Sequence, residues 1–197
     1  MRKFSELLII VFGMVGCIPL RAQVIYKLST SSKVQISGTS TVSDWAVKSQ
    51  GVSGEMTFAG SVERSAANPS PKGTIREGKA ALEVATIKSE KGEAMDNKMY
   101  KALKNDAHPE ITFLLTQPIQ LLKVPATIPA MGTVEIAGVK RPITFDLNLT
   151  YAENAFRLQG SQSLKMSEFE IEPPTAMFGQ IVTGDEIVVE LDLLFKK

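Results

Sequence analysis

Apolar and polar residues alternate along most of this chain, most plainly over residues 132–151. Val134 and Ile136 alternate with Glu135 and Ala137. After a bend at residues 138–142, Ile143, Phe145, Leu147, Leu149 and Tyr151 alternate with Thr144, Asp146, Asn148 and Thr150. Successive strand side chains point to opposite faces, so this period of two predicts a β-hairpin with one apolar face. Gly138 supplies positive φ for the bend. Pro142, lacking an N–H, is expected at the first position of the returning strand or facing away from a neighbour. A two-stranded ribbon cannot bury that face alone, so further strands must close over it.

Such strands recur on both sides. Residues 25–28 and 33–42 predict two, separated by Ser29, Thr30, Ser31 and Ser32, with Val34 and Ile36 on one face and Gly38 open to close approach. Trp45 follows a bend at Ser43 and Asp44 and opens another strand, and Met56 and Phe58 continue the alternation beyond Gly51 and Gly54. Residues 63–73, with Pro69, Ser70 and Pro71, predict a flexible loop insertion before a strand over about residues 80–87. Over residues 93–104 the period changes. Met95, Met99, Ala102 and Leu103 share one helical face with Asp96, Lys98, Lys101 and Lys104 opposite, which predicts the one helix. Pro109 pushes His108 toward extended geometry and stops it.

Strands resume through Ile111, Phe113 and Leu115, from Phe156 and Leu158 to about Lys165, and over residues 186–195, where Ile187, Val189, Leu191, Leu193 and Phe195 share a face. Pro173, Pro174 and Gly179 exclude a regular central strand between the last two. Residues 167–184 are therefore expected to form a long crossing loop that carries Phe169, Met177 and Phe178 inward as an apolar lid or plug. Eight to ten antiparallel strands with one intervening helix predict an all-β fold, a closed or nearly closed barrel.

The first residues and the composition narrow the picture to one domain in a processed chain. The 197 residues suffice for a single domain with a sizeable core. Arg2 and Lys3 precede the apolar run 7–20, and Leu20-Arg21-Ala22 ends in a small residue. This predicts a signal peptide over residues 1–22, cleaved after Ala22, and a barrel domain over residues 23–197 in the periplasm or outside the cell. The run falls short of the roughly 20 apolar residues that span a bilayer, so no membrane span is expected. Cys17, the single cysteine, lies inside this leader. A second reading takes Met14-Val15-Gly16-Cys17 as a lipoprotein box and makes Cys17 an acylated anchor. Residues 23–197 are close to neutral and carry no basic stripe with interleaved aromatics, which argues against nucleic acid as a partner.

The inventory of reactive side chains is thin. One histidine, His108, and no cysteine remain after residue 22, too few for a zinc or copper site of the usual kind. His108 is read as a helix-stop residue. No phosphate-binding glycine loop and no G-x-S-x-G elbow occur, and Asp44, Asp96, Asp146, Asp185 and Glu186 are scattered through turns and strand faces as surface residues. No catalysis, metal or cofactor is expected. What remains is apolar capacity. Candidate lining residues are Phe113, Leu115, Phe145, Leu147, Leu149, Val189, Leu191 and Leu193, with Met95, Met99, Met177 and Phe178 at a mouth. Trp45 is either a plug at a barrel end or a stacking surface for a ligand. An eight-stranded barrel either fills itself with side chains or holds one small ligand, and alternation alone does not separate the two.

Several ordered segments carry a resemblance: residues 37–45 (Ser-Gly-Thr-Ser-Thr-Val-Ser-Asp-Trp), Met95-Asp96-Asn97-Lys98-Met99 followed by residues 108–113 (His-Pro-Glu-Ile-Thr-Phe), residues 138–142, and Thr183-Gly184-Asp185-Glu186. Together they resemble the YceI-like family of exported lipid-binding β-barrels over essentially all of residues 23–197. The resemblance implies a lipocalin-like antiparallel barrel of about eight strands whose lumen holds a polyisoprenoid, a quinone-like lipid or a similar long amphiphile. An apolar lipid would then be the partner, held without a covalent step. Two positions depart from the family pattern: Ser43 stands where many relatives have a histidine, and Met95-Asp96 where an Arg-Asp pair opens the helix. Residues 167–179 also resemble a proline-rich variant of a shorter family segment. The fold carries over these changes; the identity of the ligand does not. An envelope structural or interaction module with a packed core is the other reading.

Overall fold

The computed structural model describes residues 23–63 and 70–197. Residues 1–22, expected to be a signal peptide, and Cys17 within them lie outside the described residues. In chain order the described elements are β1 (Gln23–Leu28), β2 (Lys33–Ser40), β3 (Trp45–Ser49), β4 (Val52–Glu63), β5 (Ser70–Glu83), a 3-10 turn (Val84–Thr86), β6 (Lys88–Ser89) and α1 (Glu93–Ala102). After the helix come β7 (Glu110–Leu115), β8 (Ile119–Leu121), β9 (Ala126–Ile136), β10 (Val139–Ala152) and β11 (Ala155–Lys165). A second 3-10 turn (Met166–Phe169), β12 (Thr175–Ala176) and β13 (Ile181–Lys196) complete the chain.

Four pairs of segments are single strands with an interruption. β1 and β2 both run antiparallel to β13, with Leu28 opposite Phe195 and Lys33 opposite Asp192. The serine-rich stretch between them is a tight turn that bulges out of one strand, closed by Ser32 N–H donating to the Ser29 carbonyl at 2.9 Å. Ser29 N–H donates to the Leu194 carbonyl at 2.8 Å, and Leu194 N–H donates to the Ser32 hydroxyl at 3.0 Å, so side chain and backbone together satisfy the ladder. β3 pairs with β2 and β4 with β1, across a break at Gln50 and Gly51. β5 and β6 pair with β4 and β3 across the first 3-10 turn, and β7 and β8 both pair with β5. Counted this way, eight strands each pair with the next in sequence, and β13 pairs back to β1. The result is a closed eight-stranded antiparallel barrel in up-and-down order.

The hairpin that defined the sequence pattern is formed by β9 and β10, and Phe145, Leu147 and Leu149 all point inward and are buried. Its bend is tighter than expected: Ala137 (φ 51°) and Gly138 (φ 85°) alone make the turn, and residues 139–142 are already strand. Two consecutive positive φ values suit the right-handed twist of the flanking strands. Pro142 faces Thr133 in a pair that exchanges no backbone hydrogen bonds, so its missing N–H costs the ladder nothing there. Other boundaries moved further. The strand expected over residues 80–87 begins at Ser70 and ends at Glu83, and Pro71 is buried inside it instead of sitting in a loop. Pairing with β4 on one side and β7 on the other imposes the extended form on a segment whose own alternation is weak. The helix ends at Ala102, two residues early, with Lys104 in the left-handed region.

Inside the barrel the two ends differ. At the end holding Gln23 and the β10–β11 turn, Tyr26, Phe58, Tyr151 and Phe156 pack ring to ring at centroid distances of 4.7 to 6.5 Å, with Leu149 fully buried beside them. Offset and edge-on ring pairs of this kind fill volume without gaps. Burial, aided by the Tyr151 hydroxyl, pushes the Tyr26 phenol up to about 12. This end is closed. At the other end the inward positions pass to smaller side chains and the wall opens.

Candidate functional site: an apolar cavity in the barrel

The open half encloses a cavity of about 560 Å³, within the range of small-molecule sites in proteins. Its walls are the inward positions of β2, β3, β5, β7, β9, β10 and β13. Small side chains such as Ala80, Ala130, Val34 and Val47 leave the room that rings occupy at the closed end. Leu164, Met166, Phe169 and Ile171 seal one side of the rim, where a second apolar cluster joins the turn after β11 to β9. Exposed members of the lining, among them Val42, Asp44, Glu90, Lys91, Lys98 and Thr175, mark the mouth.

The helix closes part of that mouth and is anchored by polar contacts. Asp96 is buried, at 5 % exposure, and accepts the Ser89 N–H at 2.8 Å, with Lys88 Nζ at 3.6 Å. The Tyr100 hydroxyl lies 2.9 Å from the Ala85 carbonyl and 2.8 Å from that of Ile87, and accepts from Lys88 Nζ at 2.7 Å. That last bond, with Asp96 nearby, holds the Lys88 ammonium above its ordinary pKa. Asp96 and Tyr100 stand four apart, on one stripe of the helix, and they fix its neighbouring stripe, Met95 and Met99, over the cavity. Asp96 thus differs from the surface residue expected. The helical pattern set the methionine face correctly but put Asp96 on the solvent side, because the groups that satisfy it belong to β6, which no helical pattern reveals. On the opposite rim Asp185 accepts Ser167 N–H at 2.8 Å and Ser167 Oγ at 2.6 Å. These two bonds hold its carboxyl below the usual carboxylate range.

Of the residues singled out from sequence, the cavity wall brings together Trp45, Met95, Met99, Phe113, Phe145, Leu147, Val189, Leu191 and Leu193. Trp45 lies against Gly38 and donates its indole N–H to the Thr39 carbonyl at 3.0 Å, so it is part of the wall. Leu115 packs on the core away from the cavity, and Leu149 belongs to the closed end. Met177 and Phe178 turn outward. Residues 167–184 are not one crossing loop: β12 folds back on β13 as a short hairpin, and its tip exposes both side chains, while Phe169 alone of the three points in. Lining residues that the sequence reading passed over include Ile111, Val134, Met166 and Ile171. Ile111 and Val134 were legible as alternating strand positions; Met166 and Ile171 sit in an irregular turn with no period to read. His108 stacks on Gly138 at the β9–β10 turn, apart from the cavity. Among the described residues no cluster of three His, Cys, Asp or Glu side chains could hold a metal ion.

The model of the YceI-like domain matches residues 26–195. The chain belongs to the YceI-like family. Solved members of the same fold include Burkholderia cenocepacia BcnA, 15 % identical, with a TM-score of 0.63 over 85 % of this chain and 98 % of that one. A polyisoprenoid binding domain from Saccharophagus degradans, implicated in plant cell wall breakdown, is 14 % identical, with a TM-score of 0.64 over 87 % and 97 %. The Campylobacter jejuni YCEI protein is 16 % identical, with a TM-score of 0.51 over 71 % and 81 %. No curated protein matches the sequence. At such identities the likeness speaks to the barrel fold alone.

Proposed function

We propose that this protein is a non-catalytic carrier that holds an isoprenoid-type or similar long-chain amphiphile in the open half of its barrel. The observation that carries the reading is the cavity itself: about 560 Å³, walled by aliphatic side chains, methionines and rings, with its charged residues confined to the mouth. Burying a hydrocarbon chain there removes apolar surface of both partners from water, while a polar headgroup stays at the rim. The name of the Saccharophagus relative, a polyisoprenoid binding domain, supports the chemical class. Nothing in the wall calls for bond making, and the methionines Met95 and Met99 suit a ligand of irregular shape.

The same reading makes residues 1–22 an export signal and residues 23–197 a mature protein of the periplasm or the exterior. Intact-mass measurement of the processed protein should give a chain beginning at Gln23. A chain beginning at Cys17 with added acyl mass would assign it to the lipoprotein route instead. The carrier reading itself is tested by native mass spectrometry followed by organic extraction. A lipid in near-stoichiometric amount is expected, and a ligand-free protein that also takes up no added isoprenoid would leave the interaction-module reading standing.

A further inference from the structure

The hairpin at the rim places large apolar residues where neither backbone nor burial favours them. Met177 (φ 53°) and Phe178 (φ 55°) both adopt the left-handed conformation that glycine and asparagine take most readily. The turn is held by Gly179 N–H donating to the Ala176 carbonyl at 3.1 Å and Gln180 N–H to that of Met177 at 3.2 Å. Both side chains face solvent, Phe178 completely, and a methyl group on Gly179 would meet nothing within 4 Å, so the tip projects from the barrel. A costly backbone carrying exposed apolar side chains points to a role outside the folded chain.

Its position says which role. Thr175, Ala176 and Ile181 of the same hairpin line the cavity, as does Val42 of the β2–β3 turn. That turn is clamped to the tip: Thr41 N–H donates to the Val182 carbonyl at 3.0 Å and Val182 N–H to Thr41 Oγ1 at 3.2 Å, leaving Val42 and Val182 exposed beside it. Residues 34–43 and 173–184 contain no charged residue, and the rim charges Asp44, Glu90, Lys91 and Lys98 lie outside both segments. A convex tip of this size offers a protein partner far less than the roughly 800 Å² per side of a stable interface. A bilayer interface needs no matching concavity: it accepts apolar side chains to a depth of roughly 5 to 10 Å and tolerates nearby lysines that reach headgroup phosphates.

We propose that Met177 and Phe178, with Val42 and Val182, insert into a lipid bilayer surface and seat the cavity mouth on it, so that the lipid enters without crossing water. This inference rests on the carrier reading above, and the experiment separates the two. Purified protein is floated with vesicles of phosphatidylethanolamine and phosphatidylglycerol, beside the double variant Met177→Ser, Phe178→Ser, and the lipid retained by each is extracted. The exposed tip leaves the melting temperature unchanged. The double variant should partition to vesicles about tenfold or more weakly, from the apolar area it no longer buries, and should exchange its lipid with acceptor vesicles correspondingly slower. In Phe178→Trp, emission should be quenched by lipids brominated on the acyl chain, beyond any quenching of Trp45 in the parent. Wild-type protein that ignores vesicles, a double variant that binds them equally well, or a dimer that the double variant dissolves would each overturn the docking proposal. Absence of any extractable or added lipid in the wild type would instead remove the carrier reading.

Discussion

Trp45 shows how one residue sets the shape of the cavity wall. Its ring lies so close to β2 that a methyl group at Gly38 would stand 2.6 Å from Trp45 Cζ2, nearer than van der Waals contact permits. Gly38→Ala must therefore push the indole off its place and break its 3.0 Å bond to the Thr39 carbonyl. The expected cost is about 1 to 3 kcal/mol, as for other overpacked sites. Because Trp45 is the single tryptophan, its fluorescence reports the change directly. An emission maximum and melting temperature equal to the parent's would show that the ring does not depend on Gly38. The sequence marked Gly38 as a place of close approach and left Trp45 between plug and stacking surface; a wall position serves both, since the ring packs on strand backbone and faces the lumen. Met177 and Phe178 were misplaced at this scale for a different reason. Apolar character predicts burial on average, and these two residues break the average at a turn whose backbone conformation is unusual for them.

Among the elements, α1 is held by the Asp96 carboxylate as well as by its apolar stripe. Asp96→Ala leaves the Ser89 N–H without its acceptor in a buried setting, a loss of about 1 to 3 kcal/mol. Hydrogen exchange should then accelerate in residues 93–102 while β9–β11 keep their protection. Equal acceleration throughout the barrel would mean that the helix does not open as its own unit. Met99→Asp tests the other stripe by putting a charge against the cavity wall, and should release bound lipid at unchanged secondary structure. At the far rim the Asp185 bonds to Ser167 give a pH dependence with a definite sign. The carboxyl is held below its unfolded value, so its stabilisation is complete above the ordinary carboxylate pKa and disappears as pH falls through the lower, folded value. The melting-temperature difference between wild type and Asp185→Ala should shrink to nothing over that acidic window, and a difference that persists at the lowest pH would refute the assignment. Element by element, β9, β10, β11 and the second half of β13 were plain from alternation because each buries one face. β5 was not, since its inward positions include Gly78 and Ala80, and neighbours on both sides make it a strand. β1 and β2 were read as separate strands, because a turn that leaves and rejoins one strand looks like a connection between two until the shared partner, β13, is known.

For the molecule as a whole, the closed barrel followed from counting strands, but whether it is filled or hollow did not, because both cases need the same alternation. The structure divides the barrel between them. Rings gathered by register fill the end around Phe156, and smaller side chains at the other end leave the cavity. Leu147 and Leu149, two residues apart on the same face of β10, lie on opposite sides of that division, so one kind of substitution examines both halves. Leu149 is fully buried among the rings, and Leu149→Phe has no room. It should lose about 1 to 3 kcal/mol and lower the melting temperature without a direct effect on the cavity. Leu147 borders the cavity, so the larger ring in Leu147→Phe has space to enter. The ligand-free protein should keep its melting temperature, while extractable lipid and uptake of added isoprenoid both fall, since the ring occupies volume the ligand needs. If Leu147→Phe proves as destabilising as Leu149→Phe and leaves lipid content untouched, the open half does not serve as a binding site in solution. The carrier reading would then give way to a barrel whose work is done on its outer surface.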